Sequence, residues 1–172
     1  MQEMIPAWVE GVLQPVEKLA AHLAGLRHKA VSVFVTRGDQ FLIQQRAMGK
    51  YHTPGLWANS CCTHPHWGES DEDCAQRRLA QELGISGLAL RPVGLVEYRA
   101  DVGGAMVEHE LAAVFRGEAG ADMPIAADPG EVMAWRWVGM DDLLQEVAAD
   151  PQAFTPWLRI YIGKHRAQIL GG

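Results

Sequence analysis

Cysteine is scarce in this chain and unevenly placed. There are three among 172 residues, two adjacent at Cys61 and Cys62 and the third alone at Cys74. That is too few for a disulfide framework, and an odd number reads as reduced thiols. Long apolar runs are missing as well. No stretch approaches the roughly 20 residues that would span a bilayer, so no membrane span is expected. Met1–Glu10 has no basic segment leading into an apolar one, which argues against a secretory signal and sets the expectation of a cytoplasmic protein. Nor is there a basic excess: 15 Lys and Arg against 21 Asp and Glu leave a net charge of −6. That balance disfavours nonspecific binding to nucleic acid or to an anionic membrane. Repeats, low-complexity tracts and linkers are absent too, so residues 1–172 are expected to form a single domain.

What the chain does have is 48% hydrophobic residues in legible patterns. Val31–Val35 is a β-branched, aromatic run, residues 37–40 read as a turn, and Phe41–Arg46 follows as a second strand. Residues 57–62 suit a short buried strand. Asp71–Leu83 reads as a helix, with Ser70 as N-cap, acidic residues in its first turn and Gly84 as its stop. Val93–Ala100 and Met106–Phe115 form a second hairpin, Val132–Val138 another strand, and Asp141–Ala149 and Pro156–Leu170 two further helices. The segment 6–26 is ambiguous, with helical spacing over Val16–Leu26. Strands interspersed with helices imply an α+β protein, or an α/β sandwich with a mixed sheet.

Several constellations could carry chemistry. In Cys62-Thr63-His64, an extended backbone would place thiol and imidazole on one face and turn Cys61 to the other. Such a pair can be a nucleophile, a metal site or a proton donor, and taken alone it fits a buried cysteine and a surface histidine as well. Glu108-His109-Glu110 sets two carboxylates on one face of an otherwise apolar strand. Either a cation lies between them or one carboxyl keeps its proton, unless the strand is an exposed edge. With His22, His28 and His64 they would make a five-ligand N/O set, suited to zinc, manganese or iron. Lys18, Arg46, Lys50 and Arg78 are cations that, gathered near a metal in an acidic protein, would suit a phosphate-bearing substrate.

The run Gly68-Glu69 … Arg77-Arg78-Leu79-Ala80-Gln81-Glu82-Leu83-Gly84-Ile85 resembles the Nudix signature, a loop–helix–loop that presents glutamates to metal at a diphosphate. Glu69, Arg77, Glu82, Gly84 and Ile85 fit it, whereas Arg78 and Gln81 stand where the pattern has glutamates. The fold signal survives and the hydrolase signal is degraded.

Taken with Trp57 to Pro65, Glu97-Tyr98-Arg99-Ala100, Glu108-His109-Glu110 and Phe154-Thr155-Pro156-Trp157, this run resembles the type I isopentenyl-diphosphate isomerases, in the family's order across most of the chain. The resemblance implies an α/β/α Nudix-type sandwich with its core at about residues 28–150, the N-terminal segment and C-terminal helix completing the active site. It implies interconversion of isopentenyl and dimethylallyl diphosphates through a tertiary carbocation. Cys62 and Glu110 would be the proton-transfer groups, Tyr98 would bond nearby and Trp157 would lie against the cationic carbon. It places one Mn2+ or Zn2+ on His22, His28, His64, Glu108 and Glu110. A Mg2+ would bridge the substrate to Glu82 and the Cys62 carbonyl, and Lys18, Arg46, Lys50 and Arg78 would contact the diphosphate. The paired cysteines and opening segment also resemble isomerases of phototrophic bacteria, which feed carotenoid and chlorophyll synthesis.

Two other readings compete. A Nudix-type diphosphatase would release phosphate and is disfavoured by Arg78 and Gln81. A non-catalytic binder of metal or prenyl diphosphate would have no use for Cys62, Glu110, Tyr98 and Trp157 together, and would exchange no proton into the substrate. The expected assembly is a monomer or small homo-oligomer.

Overall fold

The computed structural model describes residues 2–170, so Met1, Gly171 and Gly172 of the expected domain lie outside the described residues. The segment that was ambiguous in sequence opens with a hairpin, β1 (Met4–Val9) and β2 (Val12–Glu17). Val9 pairs with Val12 across a two-residue turn, Glu10-Gly11, in which both residues have positive φ (50° and 81°). Primed hairpin turns require that geometry because it matches the twist of the strands. Helical spacing over Val16–Leu26 is realised only in α1 (Lys18–Leu23), since Val16 and Glu17 belong to β2. The Glu17 carboxylate caps α1, accepting from the amides of Leu19 and Ala20.

β3 (Arg27–Arg37) is the central strand. β4 (Gln40–Arg46) follows it, then β5 (Trp57–Ala58) and β6 (Cys61–Thr63) in place of one strand over 57–62. After α2 (Asp71–Leu83) come β7 (Arg91–Gly103), β8 (Met106–Glu118) and β9 (Val132–Gly139). α3 (Met140–Ala149) leads through a single 3-10 turn to α4 (Pro156–Lys164) and α5 (Arg166–Leu170). The expected helix 156–170 is therefore broken at His165.

One edge of β3 pairs with β8 in parallel, from Arg27↔His109 to Thr36↔Glu118. Its other edge is shared by β1, β6 and β4, all antiparallel. β7 pairs with the far side of β8, and β9 with β4. The sheet is mixed, and β8 is an interior strand, so the exposed-edge explanation for Glu108 and Glu110 does not hold.

The period of two divides β3 cleanly. Val31, Val33 and Val35, with Leu42 and Cys61, pack on Cys74, Ala75, Leu79 and Leu83 of α2. Ala30 and Phe34 face the other way, with Ala112, Val114 and Tyr98, against Trp157, Leu158, Tyr161 and Ile162 of α4. The result is an α/β/α sandwich, one α+β domain. Fully burying each of these leucines contributes about 1.5–3 kcal/mol.

Local chemistry fixes α2 at both ends. Ser70 Oγ accepts the Asp73 amide at 3.1 Å and donates to the Asp73 carboxylate at 2.7 Å. Glu69 and Arg77 form a two-pronged pair at 2.6 and 2.8 Å that ties the preceding loop to the helix. Gly84 ends the helix at φ 65°, and a Cβ there would lie 2.7 Å from the Ala126 carbonyl oxygen, so only glycine fits.

Candidate active site

Strand register assembles the site. On β3, His28 and Ser32 share the face that carries Ala30 and Phe34. His28 is paired with Glu110 of β8, which is paired in turn with Tyr98 of β7. On the opposite edge Ser32 is paired with Cys62 of β6. Four strands thus deliver an imidazole, a carboxylate, a phenol and a thiol to one face. α1 adds His22, and the residue that follows β6 is His64.

His22, His28, His64 and Glu108 are all buried, and one ligand atom from each lies within 4.8 Å of the others. The Nδ1 atoms of His22 and His28 sit 2.6 and 2.7 Å from the carbonyls of Lys18 and Leu26. In the neutral imidazole, the form that binds a metal, those bonds place the proton on Nδ1 and leave each Nε2 with a lone pair. Both Nε2 atoms lack a hydrogen-bond partner and face Glu108, at 3.5 and 3.8 Å, whose Oε2 is also unpartnered. Lone pairs aimed at lone pairs in a buried site fit a cation. Glu110 adjoins them, with Oε1 3.1 Å from His64 Nε2 and 3.8 Å from His28 Nε2. The donor set, imidazole and carboxylate with no thiolate, suits a divalent transition ion.

The electrostatics follow from that crowding. Burial disfavours the charged form of His28, but Glu108 and Glu110 outweigh it and raise its pKa to about 10. His64 goes the other way, lowered to about 3, chiefly by burial. Burial also pushes the Glu110 carboxyl up to about 8, with the charge of Glu108 adding to the shift. Glu108 resists the same burial: the groups around it, Glu110, His22, His28 and His52, hold it well below the usual carboxylate range. Burial, then the two glutamates, keeps the Cys62 thiol protonated, while the Ser32 hydroxyl, 3.3 Å from Sγ, partly offsets them. Tyr98 is likewise held protonated and donates to Glu110 Oε2 at 2.5 Å.

Cys62, Glu110 and Trp157 line one small cavity, about 20 Å³, together with Lys18, Arg46, Lys50 and Arg78. All four expected cations therefore reach the same space as the expected acid–base pair. Each already has company. Lys18 pairs with Glu3 at 3.2 Å, Arg46 lies 5.2 Å from the Trp157 ring centre, and Lys50 pairs with Glu131. Arg78 bonds Glu82 at 2.5 Å and Glu131 at 3.2 Å. Glu82 sits apart from the histidine cluster, its second oxygen accepting from Gln44 at 2.7 Å. Gln81 accepts from Arg77 and Arg78 on the exposed side of α2. Cys61 is buried against α2, away from the cavity.

Sequence reasoning overlooked four residues here. Ser32 touches Cys62, Glu131 joins Lys50 to Arg78, and Tyr51 and His52 line the cavity. Tyr51 and His52 lie in a loop without periodicity. The one available signal was the clustering of histidine around the cysteines.

A family model described as NUDIX domain matches residues 26–158. An isopentenyl-diphosphate Delta-isomerase from Rhodobacter capsulatus is 62% identical over 168 residues, covering 98% of this chain and 96% of the relative. The chain belongs to the isopentenyl-diphosphate Delta-isomerase family. A member from Cereibacter sphaeroides is 60% identical over 171 residues, covering 99% and 97% of the two chains. Solved structures show the same fold at low identity. The crystal structure of DR0079 from Deinococcus radiodurans has a TM-score of 0.76 at 17% identity, over 94% of this chain and 98% of the other. A MutT NUDIX hydrolase from Burkholderia pseudomallei has a TM-score of 0.62 at 23% identity, over 80% and 97%. Family membership gives Arg78 and Gln81 a context: the isomerase helix keeps the Nudix shape while its charge is altered. No helix among the described residues is long and apolar enough to cross a membrane.

Proposed function

We propose that the chain interconverts isopentenyl and dimethylallyl diphosphates in isoprenoid biosynthesis, using Cys62 and Glu110 as its proton-transfer pair. One observation carries the assignment. A protonated thiol and a carboxyl with a raised pKa meet in a cavity rimmed by four cations, beneath a buried indole.

The four cations would hold the diphosphate and so orient the alkene. One of the pair, Cys62 Sγ or Glu110, adds a proton to the terminal methylene, which leaves a tertiary cation. The other removes a proton from the carbon that becomes part of the new double bond. Protons in and out balance, and no external oxidant or nucleophile is needed. Ser32 donates to Cys62 and would ease the thiolate that forms when Sγ gives up its proton. Tyr98 does the same for the Glu110 carboxylate. Trp157 is 1% exposed, and its ring would face the cationic carbon, where a desolvated cation–π contact contributes ~2 kcal/mol or more. Water must be excluded, since it would capture the cation.

His22, His28, His64, Glu108 and Glu110 would hold one Mn2+ or Zn2+, and Glu82 with the Cys62 carbonyl a Mg2+ shared with the diphosphate. Bound there, divalent charge neutralises the paired carboxylates and the substrate phosphates. In this reading the N-terminal hairpin with α1 and the C-terminal α4 complete a site laid out on the sheet. Every group lies in one chain, so a monomer suffices and a small homo-oligomer would carry one site per chain.

The test is isomerisation in deuterated water with Mg2+ alone, with Mn2+ or Zn2+ added, and after chelation. Deuterium incorporation with interconversion of the two isomers supports the proposal. Hydrolysis of nucleoside diphosphates with no allylic isomer formed would replace it with the hydrolase reading.

A further inference from the structure

Glu131 stands immediately before β9, outside every motif of the chain. Its backbone is pinned on both sides. The Ala47 amide donates to its carbonyl at 3.0 Å, and its own amide donates to the Asp128 carbonyl at 3.0 Å. The Asp128 amide in turn donates to the Glu82 carbonyl at 3.0 Å, and the Asp128 carboxylate accepts from the Gly130 amide at 2.8 Å. The turn 128–131 therefore joins the end of α2, the helix of Arg78, to the end of β4, from which the chain leads to Lys50. The Glu131 carboxylate lies where those two cations meet. Its Oε2 accepts from Lys50 Nζ and, at 3.2 Å, from Arg78 Nη2. Burial disfavours its charge, but Lys50 and Arg78 outweigh burial and lower its pKa.

The cations on the cavity rim are largely matched already. Lys18 is paired with Glu3, Lys50 with Glu131, and Arg78 with both Glu82 and Glu131. Of the four, only Arg46 has no carboxylate partner among the described residues. Glu108 and Glu110 line the same cavity. The rim thus offers a diphosphate many directed N–H donors and little net positive charge. A free diphosphate would bond to those donors and be repelled by the carboxylates that hold them. A diphosphate that arrives with a divalent cation suits such a rim better, because the cation offsets part of its charge.

We propose that Glu131 is a specificity-determining residue of the diphosphate site: by sharing one negative charge between Lys50 and Arg78, it makes the site select the Mg2+ complex of a diphosphate over the free anion. Selection of this kind comes from repelling the wrong ligand rather than from a new contact to the right one. The inference rests on reading the cavity as a diphosphate site.

The experiment measures binding of inorganic diphosphate to the purified full chain by calorimetry, in metal-free buffer and at saturating Mg2+. The native chain, Glu131→Gln and Glu131→Asp are compared, and the readout is the ratio of the two affinities. Melting of each protein without ligand checks the fold. The native chain should bind diphosphate more tightly with Mg2+. Glu131→Gln keeps the shape and an acceptor oxygen but removes the charge. Free diphosphate carries two more negative charges than its Mg2+ complex, so this loss should favour the free anion and shrink the ratio about tenfold. Glu131→Asp keeps the charge on a shorter arm and should leave the ratio near native even where both affinities fall. A native ratio in Glu131→Gln would overturn the proposal, including the case in which both affinities fall by one common factor, the mark of a purely structural role. So would a ratio that shrinks as much in Glu131→Asp as in Glu131→Gln. A native chain that binds no diphosphate under either condition would overturn it differently, by removing the diphosphate site itself.

Discussion

Tyr98→Phe isolates a single bond at the centre of the site. The phenol donates to Glu110 Oε2 at 2.5 Å, with Tyr98 6% and Glu110 1% exposed. Phenylalanine fills the same space, so packing against Ala112 and Tyr161 survives and only the donor is lost. A hydrogen bond to a charged group contributes about 1.5–3 kcal/mol, and here it favours the ionised carboxylate. At 1.36 kcal/mol per pH unit, losing it should raise the pKa of Glu110 by about 1–2 units. The shift adds to one already upward, because burial and Glu108 have brought the group to about 8. The assay is the pH dependence of isomerisation, followed by conversion of labelled isopentenyl diphosphate to the allylic isomer. The limb that reports the ionised carboxylate should move about 1–2 units to higher pH, and turnover at neutral pH should fall about 10–100-fold, the same energy expressed as a rate. A far-ultraviolet spectrum matching the native protein would show that the fold persists. A pH profile superimposable on the native one, with unchanged turnover, would refute the assignment of Tyr98 as a partner that favours the ionised form of Glu110.

Other perturbations divide the site in different ways. Cys62→Ser should abolish isomerisation with the fold intact, because a hydroxyl is a far weaker acid than a thiol. Cys61→Ser should leave turnover in place but lower the melting temperature, since a hydroxyl buried against α2 without a partner costs about 1–3 kcal/mol; loss of activity there with Cys62 dispensable would invert the strand register. Arg78→Glu should raise KM more than Arg78→Ala does, because it gathers a third carboxylate beside Glu82 and Glu131 instead of only deleting a contact. Equal effects in steady-state assays would take Arg78 out of the diphosphate site. Chelation should make stability pH-dependent. In the metal-free protein His28 (about 10) and Glu110 (about 8) both lie above their unfolded values, roughly 6.5 and 4.3. Their contribution is complete below the unfolded pKa and is lost as pH rises through the folded one. The melting temperature of chelated protein should therefore fall from about pH 6 to 9 while that of metal-loaded protein falls less; a gap that narrows over that range would contradict the cation site.

Legibility in the sequence followed the physics of each element. α2 was readable because Ser70, three acidic residues and Gly84 are local signals that need no tertiary help. Glu108 and Glu110 stood out because strand periodicity exposes a polar pair among apolar neighbours. The hairpin β1–β2 was hidden by Pro6 and Pro15, which discourage a strand assignment although both strands lie at the sheet margin, and by a Glu-Gly turn lacking the usual asparagine or aspartate. The break at His165 has no proline to announce it. Ser32 read as an ordinary member of a β-branched run, and only its pairing with Cys62 gives it a role. His52 was illegible because it lies in the loop between β4 and β5, where no periodicity marks which side chains turn inward.

The parallel pairing of β3 with β8 bears on how the site opens and how it can change. Amides on these two strands are bonded on both sides, so they should exchange with solvent only in the rarest openings, near global unfolding. His28 and Glu110 are adjacent partners there, so the proton transfer proposed for Glu110 would be anchored in the slowest-moving part of the molecule. Arg46, Lys50, Tyr51 and His52 belong instead to the end of β4 and the loop after it, outside that doubly bonded pair of strands. On the proposed assignment, a change in which diphosphate is bound would come through the exposed positions of residues 46–56, since loops tolerate substitution better than the strands they join, and the proton-transfer pair would stay on the frame.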